Sequence, residues 1–540
     1  MSGQPSPLPV NLAHHDQRPT VRDAVIDLLR SLGMTTIFGN PGSTELALFL
    51  DFPDDFSYQL GLQEAVVVGM ADGYAQATRK AAFVNLHSAA GVGNAMGAIF
   101  TAYKNATPLV ISAGQQARSI LPYDPFLSSA DATHLPMPYV KYSVEPARAE
   151  DVPQAIARAY YMATQEPCGP VMVSIPADDW NRPSEGFVQA RTVSTTSLPQ
   201  PGILAEVAQL LNTCERPALV VGTGVDRNDA WEATVQLAER HNARVWIAPM
   251  SARCGFPGDH PLFAGYLSAE REKIVGALGG HDGIVVIGAP AFTYHVEGEG
   301  PHLPENARLA QIIDDPAIAA WAPVGTAMVC GIKAGVTALL QASEPAKRPA
   351  PEPRQKAPRA EPSIPMSVAY MLQTLDEVRD PGTIIVEESP SARPVMHRYM
   401  PIYQSETFYT MASGGLGFGM AATVGVALGK PGRRIIGLVG DGSSMYSIQA
   451  LWNAVQLQLP ITFIIINNQR YAALQEFAHT FGFKEGDYLH GSDLPGLDFV
   501  ALANGHGCPA VRVEDPAELA DTLKSALQSE GPILVEVRVA

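Results

Sequence analysis

Ile435-Ile-Gly-Leu-Val-Gly-Asp-Gly442 and Ile461-Thr-Phe-Ile-Ile-Ile-Asn-Asn468 decide how this chain is read. Each is an apolar run of strand length that ends in polar residues, the place where open α/β sheets hold their ligands. Asp441 and Asn468 stand 27 positions apart. Between them Ile448, Leu451, Trp452 and Val455 recur at helical spacing, so the segment reads as a βαβ unit bringing two strand ends side by side. The Asp441 carboxylate, the Asn468 amide oxygen and a backbone carbonyl just beyond, at Arg470, suit Mg²⁺, which is commonly completed by water and phosphate oxygens. A diphosphate is the expected guest. Gly440 and Gly442 let backbone N–H groups approach it, and a helix starting near Ser443 offers its N-terminus. Taken singly, Gly-Asp-Gly is also a common strand-end turn, and the Asn pair could cap the succeeding segment.

Working outward, the 540 residues exceed one ordinary core and fit about three domains of roughly 150 to 200 residues. Against 37 basic residues stand 54 acidic ones, a net charge of −17, and no Lys/Arg stripe offers the basic footprint that nucleic acid requires. No apolar run reaches membrane-spanning length, and a membrane partner is not expected. Residues 1–20 are polar and Pro-rich, including His14-His15, and read as a flexible, solvated tail, neither signal nor transit peptide. The five cysteines, Cys168, Cys214, Cys254, Cys330 and Cys508, form no CxxC pair, and a reducing cytoplasm is the expected compartment.

Prolines mark the domain boundaries. Residues 344–365 hold seven of them among charged residues and alanine, the composition of an extended linker. A softer break falls between Pro183 and Pro201. The expected division is therefore a domain over 21–185, a middle domain over 200–343, the linker 344–365 and a last domain over 366–540. In the first and last, strand-like runs alternate with amphipathic helical stretches, which predicts α/β folds with mainly parallel sheets. In the middle domain Gly222-Thr-Gly224 follows the run Ala218–Val221, a weak nucleotide-site signal on its own.

The Gly-Asp-Gly to Asn-Asn segment resembles the thiamine diphosphate signature. The resemblance extends from about Val21 to the C-terminus and points to the benzoylformate decarboxylase group of 2-oxo acid decarboxylases. It is carried by Phe38-Gly-Asn-Pro-Gly-Ser43, Leu62-Gln-Glu-Ala65, Asn85-Leu-His-Ser-Ala-Ala-Gly91, Ala289-Pro-Ala-Phe-Thr-Tyr-His295 and Ser413-Gly-Gly-Leu-Gly-Phe418. It implies two related α/β domains flanking a Rossmann-like middle domain. One outer domain would hold the aminopyrimidine and the other the diphosphate, with the coenzyme between different subunits of a homodimer or tetramer. It also implies the cofactors thiamine diphosphate and Mg²⁺, with Asp441, Asn468 and the Arg470 carbonyl on the metal. Ser391, Gly414, Leu416, Gly442, Ser443, Tyr471 and Ala472 would line the coenzyme.

By the same resemblance Glu64 activates the coenzyme through the pyrimidine ring nitrogen, and the apolar stretch after it predicts burial of its carboxyl. Ser43 would hold the substrate carboxylate, while His87 and His295 would move protons, a task suited to histidine near neutrality. From local sequence alone Glu64 could be a helix-start acid, Ser43 a helix cap, His87 a core histidine, His295 a loop residue and Leu416 plain packing. Phe126, Leu127, Leu474 and Phe477 fall where that group lines an aryl pocket. Arg393 and Thr410 depart from the group's pattern, and an inward Arg393 could pair with a second substrate carboxylate or stack on a ring, whereas an outward one is only a surface charge. The expected activity is decarboxylation of an aromatic 2-oxo acid to an aldehyde and CO₂, with a carboligase or lyase as the alternative.

Overall fold

The structure, a computed structural model, describes residues 18–184, 188–484 and 486–540. His14-His15 and the rest of 1–17 lie outside the described residues. The tail reading stops short of residue 20: Thr20 bridges Pro183 and caps the first helix, Val21–Ser31, by accepting the Asp23 N–H.

Three six-stranded sheets succeed one another along the chain. Every strand pairing within them is parallel. The first contains β1 (Thr36–Asn40), β2 (Ser57–Leu60), β3 (Ala82–Leu86), β4 (Leu109–Gln115), β5 (Ser143–Val144) and β6 (Val171–Pro176), in the order β2-β1-β3-β4-β6-β5. The second contains β7 (Pro217–Val221), β8 (Arg244–Ile247), β9 (Phe263–Tyr266), β10 (Gly283–Ile287), β11 (Arg308–Ile313) and β12 (Thr326–Val329), in the order β12-β11-β10-β7-β8-β9. That is the Rossmann order read from its far edge. The third contains β13 (Ile384–Glu388), β14 (Phe408–Tyr409), β15 (Ile435–Gly440), β16 (Ile461–Asn467), β17 (Ala510–Val513) and β18 (Ile533–Arg538), ordered β14-β13-β15-β16-β18-β17. Counted within its own domain, this third sheet repeats the order of the first, so the two outer domains share one topology. Central strands such as β7 and β16 are buried throughout, which is why they read as unbroken apolar runs.

The outer domains meet through the helices Glu64–Thr78 and Phe418–Gly429. Both helices are small-residue and apolar on the faces that meet, so their backbones lie unusually close: a Cβ on Gly425 would stand 1.9 Å from the Met70 carbonyl oxygen. The linker region between Glu344 and Ser363 contains no helix or strand, yet it is strapped to the middle domain. Ala346 N–H donates to the Arg240 carbonyl, Asn242 donates to the Arg348 carbonyl, and Arg244 donates to the Glu352 carbonyl.

Candidate active site

Register places the two halves of the motif together. Gly440 of β15 pairs with Ile466 of β16, so Asp441 and Asn467 leave adjacent strands at the same end. The crossover differs from expectation: it is two short helices, Asp441–Ser444 and Ala450–Gln456, instead of one beginning near Ser443. The first helix closes on its own last residue: the Ser444 hydroxyl donates to the Asp441 carbonyl at 2.7 Å, taking a carbonyl that a continuing helix would use.

Asp441 is buried, and its two oxygens accept the N–H groups of Gly442, at 2.7 Å, and Gln469, at 2.6 Å. Burial pushes its carboxyl above the usual carboxylate range, against the pull of backbone N–H groups from Gly442, Gln469, Arg470 and Asn468. The asparagines divide their labour. Asn467 is buried and donates to Glu536 of β18 at 2.7 Å, whereas Asn468 is half-buried at the strand end. Among the described residues no group of three or more His, Cys, Asp or Glu side chains converges, so a cation here would rely on one carboxylate, an amide and backbone oxygen. Two further observations fit a bound diphosphate. The Ser389 hydroxyl is buried without a hydrogen-bond partner and would lie 3.5 Å from a Cβ on Gly440. Gly442 must be glycine because a Cβ there would stand 2.2 Å from the Tyr471 ring. Ser443 is buried and Ser391, Tyr471 and Ala472 are half-buried around the same strand ends.

The turn carrying Leu416 is anchored from below. Glu388, buried at the end of β13, accepts the Gly417 N–H at 2.7 Å and also the Gly419 N–H. Burial pushes Glu388 up to about 8 despite those donors, with Glu387 beside it adding to the rise. Gly414 has a φ of +73°, and Leu416 packs half-buried on the apolar core. The Ser413 hydroxyl lies 2.8 Å from that of Thr101, tying this turn to the first domain.

A second cluster sits in the first domain. Glu64 opens its helix behind the N-cap Gln63 and accepts a hydrogen bond from Asn94 at 3.1 Å. It is half-buried, not buried as expected, because the helix start lies at the sheet's rim while the apolar Val66–Val68 turn inward. His87 occupies the N-cap position of the helix Ser88–Lys104, its Nδ1 3.0 Å from Glu45 and 3.0 Å from Thr44. Ser43 is exposed on the adjoining turn, and the short helix that follows has no side-chain cap, so capping does not account for it.

His295 lies in a third place. It is exposed in the middle domain and meets Phe477 of the last domain edge-on, ring centroids 4.9 Å apart. Phe126 is 87% exposed and Leu474 is 53% exposed, while Leu127 is also exposed. Phe126 and Leu127 belong to the first domain and Leu474 and Phe477 to the last, and no ring contact among the described residues joins Phe126 to Phe477. Arg393 points inward, donating to Glu387 at 2.8 Å and to Thr410 at 2.8 Å. None of the hydrogen bonds, ion pairs or ring contacts among the described residues joins Glu64 or His87 to Asp441, Asn468 or His295.

Glu45, Glu387, Glu388 and Ser389 escaped the sequence reading. Two adjacent acids closing the run Ile384–Val386 were the available signal, because carboxylates at a buried strand end need dedicated partners. At Gly222 and Gly224 the close approach is to protein: a Cβ on Gly222 would stand 2.7 Å from the Gly288 carbonyl oxygen.

Family models for thiamine pyrophosphate enzymes match three stretches of the chain. The N-terminal binding domain matches residues 19–135, the central domain 204–339, and the C-terminal binding domain 391–537. The chain is 44% identical over 522 residues to the benzoylformate decarboxylase of Pseudomonas aeruginosa, covering 96% of this chain and 98% of that one. The crystal structure of benzoylformate decarboxylase from Polynucleobacter necessarius superposes with a TM-score of 0.94 at 41% identity, over 96% of this chain and 98% of that one. A thiamine diphosphate-dependent 4-hydroxybenzoylformate decarboxylase from Rhodococcus jostii gives 0.93 at 40% identity, over 96% and 99%. With its fold, its strand-end motif and its whole length matched in this way, the chain belongs to the thiamine pyrophosphate enzyme family.

Proposed function

We propose that this protein is a thiamine diphosphate-dependent decarboxylase that converts an aromatic 2-oxo acid, with benzoylformate the first to offer, into an aldehyde and CO₂. The observation that carries the reading is the 44% identity to benzoylformate decarboxylase over 96% of the chain. When bound, the coenzyme supplies the nucleophilic carbon and the sink for the electron pair released with CO₂. Everything else falls to the chain. Asp441, Asn468 and the Arg470 carbonyl would hold Mg²⁺, and Ser391, Gly414, Gly442, Ser443, Tyr471 and Ala472 would seat the coenzyme, with Leu416 packed against it. Glu64 would hydrogen-bond the pyrimidine nitrogen. Ser43 would orient the substrate carboxylate, and His87 and His295 would give and take protons at the reacting carbon and oxygen.

That no hydrogen bond, ion pair or ring contact among the described residues joins Glu64 or His87 to Asp441 or His295 fits a site shared by two subunits, each contributing one half. In that arrangement Phe126 and Leu127 of one chain would face Leu474 and Phe477 of the other, giving an aryl ring an apolar place. A homodimer is then the smallest active form, and a tetramer is two of them. Five cysteines without a disulfide support a cytoplasmic setting.

The experiment is to supply purified protein, loaded with thiamine diphosphate and Mg²⁺, with benzoylformate, pyruvate and benzoin separately. CO₂ and benzaldehyde from benzoylformate support the proposal. Acetolactate from pyruvate, or benzaldehyde from benzoin without benzoylformate turnover, replaces it with the carboligase or lyase reading.

A further inference from the structure

Nδ1 of His87 faces two oxygens at equal distance, Glu45 Oε2 at 3.0 Å and Thr44 Oγ1 at 3.0 Å. The Thr44 hydroxyl donates its hydrogen to Glu45 Oε1 at 2.6 Å, so toward the ring it can only accept. Glu45 Oε2 already receives the Gly42 N–H at 2.8 Å. Both neighbours of Nδ1 are therefore acceptors, and the network assigns the ring hydrogen to Nδ1. Nε2 is left as the basic nitrogen.

The arrangement is built, not incidental. Glu45 is 1% exposed, a burial that carboxylates tolerate only with dedicated partners. Gly114 of β4 has to be glycine to leave room for it, since a Cβ there would stand 1.8 Å from Glu45 Oε1. Gly42 lies flat on the imidazole, where a Cβ would stand 2.3 Å from the ring, so the ring has one place to sit. Glu45 also ties its own turn, accepting the Gly42 N–H and the Thr44 hydroxyl, which holds its carboxylate in place beneath the ring.

We infer that Glu45 is the positioning residue for His87, fixing its tautomer and ring plane so that Nε2 exchanges the proton in turnover, an inference that rests on the proposed role of His87. As Nε2 takes up a proton, Nδ1–H stays bonded to the Glu45 carboxylate, which offsets the new positive charge. The same proton leaves from Nε2, and Glu45 acts only by holding Nδ1–H. The carboxylate works against the helix Ser88–Lys104, whose N-terminus disfavours a cation at the cap position His87 holds. The other ionisable groups on neighbouring elements are Tyr58 of β2, whose phenol burial and the Glu45 charge push above its ordinary range, and Glu64, which faces Asn94.

The test compares pH profiles of kcat and KM for benzoylformate in the holoenzyme and its Glu45→Gln, Glu45→Asp and His87→Ala variants. Loss of a pH limb in His87→Ala identifies the limb that belongs to this ring. In Glu45→Gln that limb is expected to move to lower pH by about one unit, because the imidazolium loses its counter-charge. Turnover is expected to fall roughly ten- to hundredfold with KM changing far less, the usual cost of losing an orienting partner. Glu45→Asp draws the charge back by one methylene and is expected to move the limb part of the way. Should the Gln variant not fold, the Asp variant carries the test, and an unmoved limb there overturns the inference. A folded Glu45→Gln with an unmoved limb also overturns it while leaving His87 in its role. Undiminished turnover in His87→Ala removes that role and the inference together.

Discussion

Arg393 and Glu387 form an inward ion pair at 2.8 Å, with the Glu387 side chain 1% exposed and that of Arg393 15% exposed. The guanidinium also donates to Thr410, so its charge is met by Glu387 and two of its nitrogens are held inside the last domain. Arg393 is thus committed to the fold, and a substrate with a second carboxylate should gain nothing from it. Removing it as Arg393→Ala leaves Glu387 buried and unpaired, which is expected to cost about 3–5 kcal/mol in chemical denaturation. Offering 4-carboxybenzoylformate beside benzoylformate checks the other half: no preference for the diacid is expected.

Asp441 brings the one carboxylate of the proposed metal set, and among the described residues no cluster of acids stands by to replace it. Asp441→Ala should therefore weaken coenzyme and Mg²⁺ uptake at least tenfold while the protein stays folded, because the residue follows the strand Ile435–Gly440, whose apolar packing lies upstream. Titration of stripped protein, followed by tryptophan fluorescence, reads the change. Uptake equal to that of the parent would refute the assigned metal site.

How far the sequence could be read depends on range. The run Ile435–Val439, the run Ile461–Ile466 and the spacing of Asp441 and Asn468 are local, and β15 and β16 pair as that pattern requires. Side-chain partnership across long separations is not local. Nothing near Arg393 in sequence says that it turns toward Thr410, and nothing near His87 says that Glu45, forty-two positions earlier, will meet its Nδ1. The half-burial of Glu64 is hidden for the same reason: apolar neighbours report which helix face packs, not how near the helix end lies to the rim.

His241 is fully buried, and its Nε2 lies 2.8 Å from the Ser343 hydroxyl, which itself donates to the Leu339 carbonyl. Nε2 must then be the donor, and Nδ1 has no partner, so a second ring proton would be buried without an acceptor. Burial, helped by Arg348 and Arg240, pulls this histidine down to about 4. In the unfolded chain it regains its ordinary value of 6.5 and binds a proton first. Stability from this group is present above 6.5 and is lost as pH falls toward 4. His241→Gln, which keeps a donor for Ser343, should flatten the pH dependence of urea unfolding over that window.

The close seam between the helices Glu64–Thr78 and Phe418–Gly429 fixes where the first domain stands relative to the last. Gly425→Ala would drive a methyl group into the Met70 backbone, which cannot rotate away as a side chain tip could. A loss of about 1–3 kcal/mol or more is expected in denaturant titrations. Gly432→Ala, at a turn with open space but φ of +77°, provides a control whose cost comes from backbone strain alone.

If each site draws Glu64 from one subunit and Asp441 from another, two inactive proteins should repair each other. Glu64→Ala chains keep an intact Asp441 half, and Asp441→Ala chains keep an intact Glu64 half. In a mixed dimer one site receives both damaged halves and the other receives both sound ones. Random assortment makes about half of the dimers mixed, so co-expressed variants should recover about a quarter of the parent's turnover, while each variant alone stays inactive. A site completed within one chain predicts none, because every chain would carry a lesion in its own site. Benzaldehyde release from the unfractionated co-expressed protein reads the quarter, and the mixed dimer isolated through a different tag on each chain should reach about half of the parent's turnover.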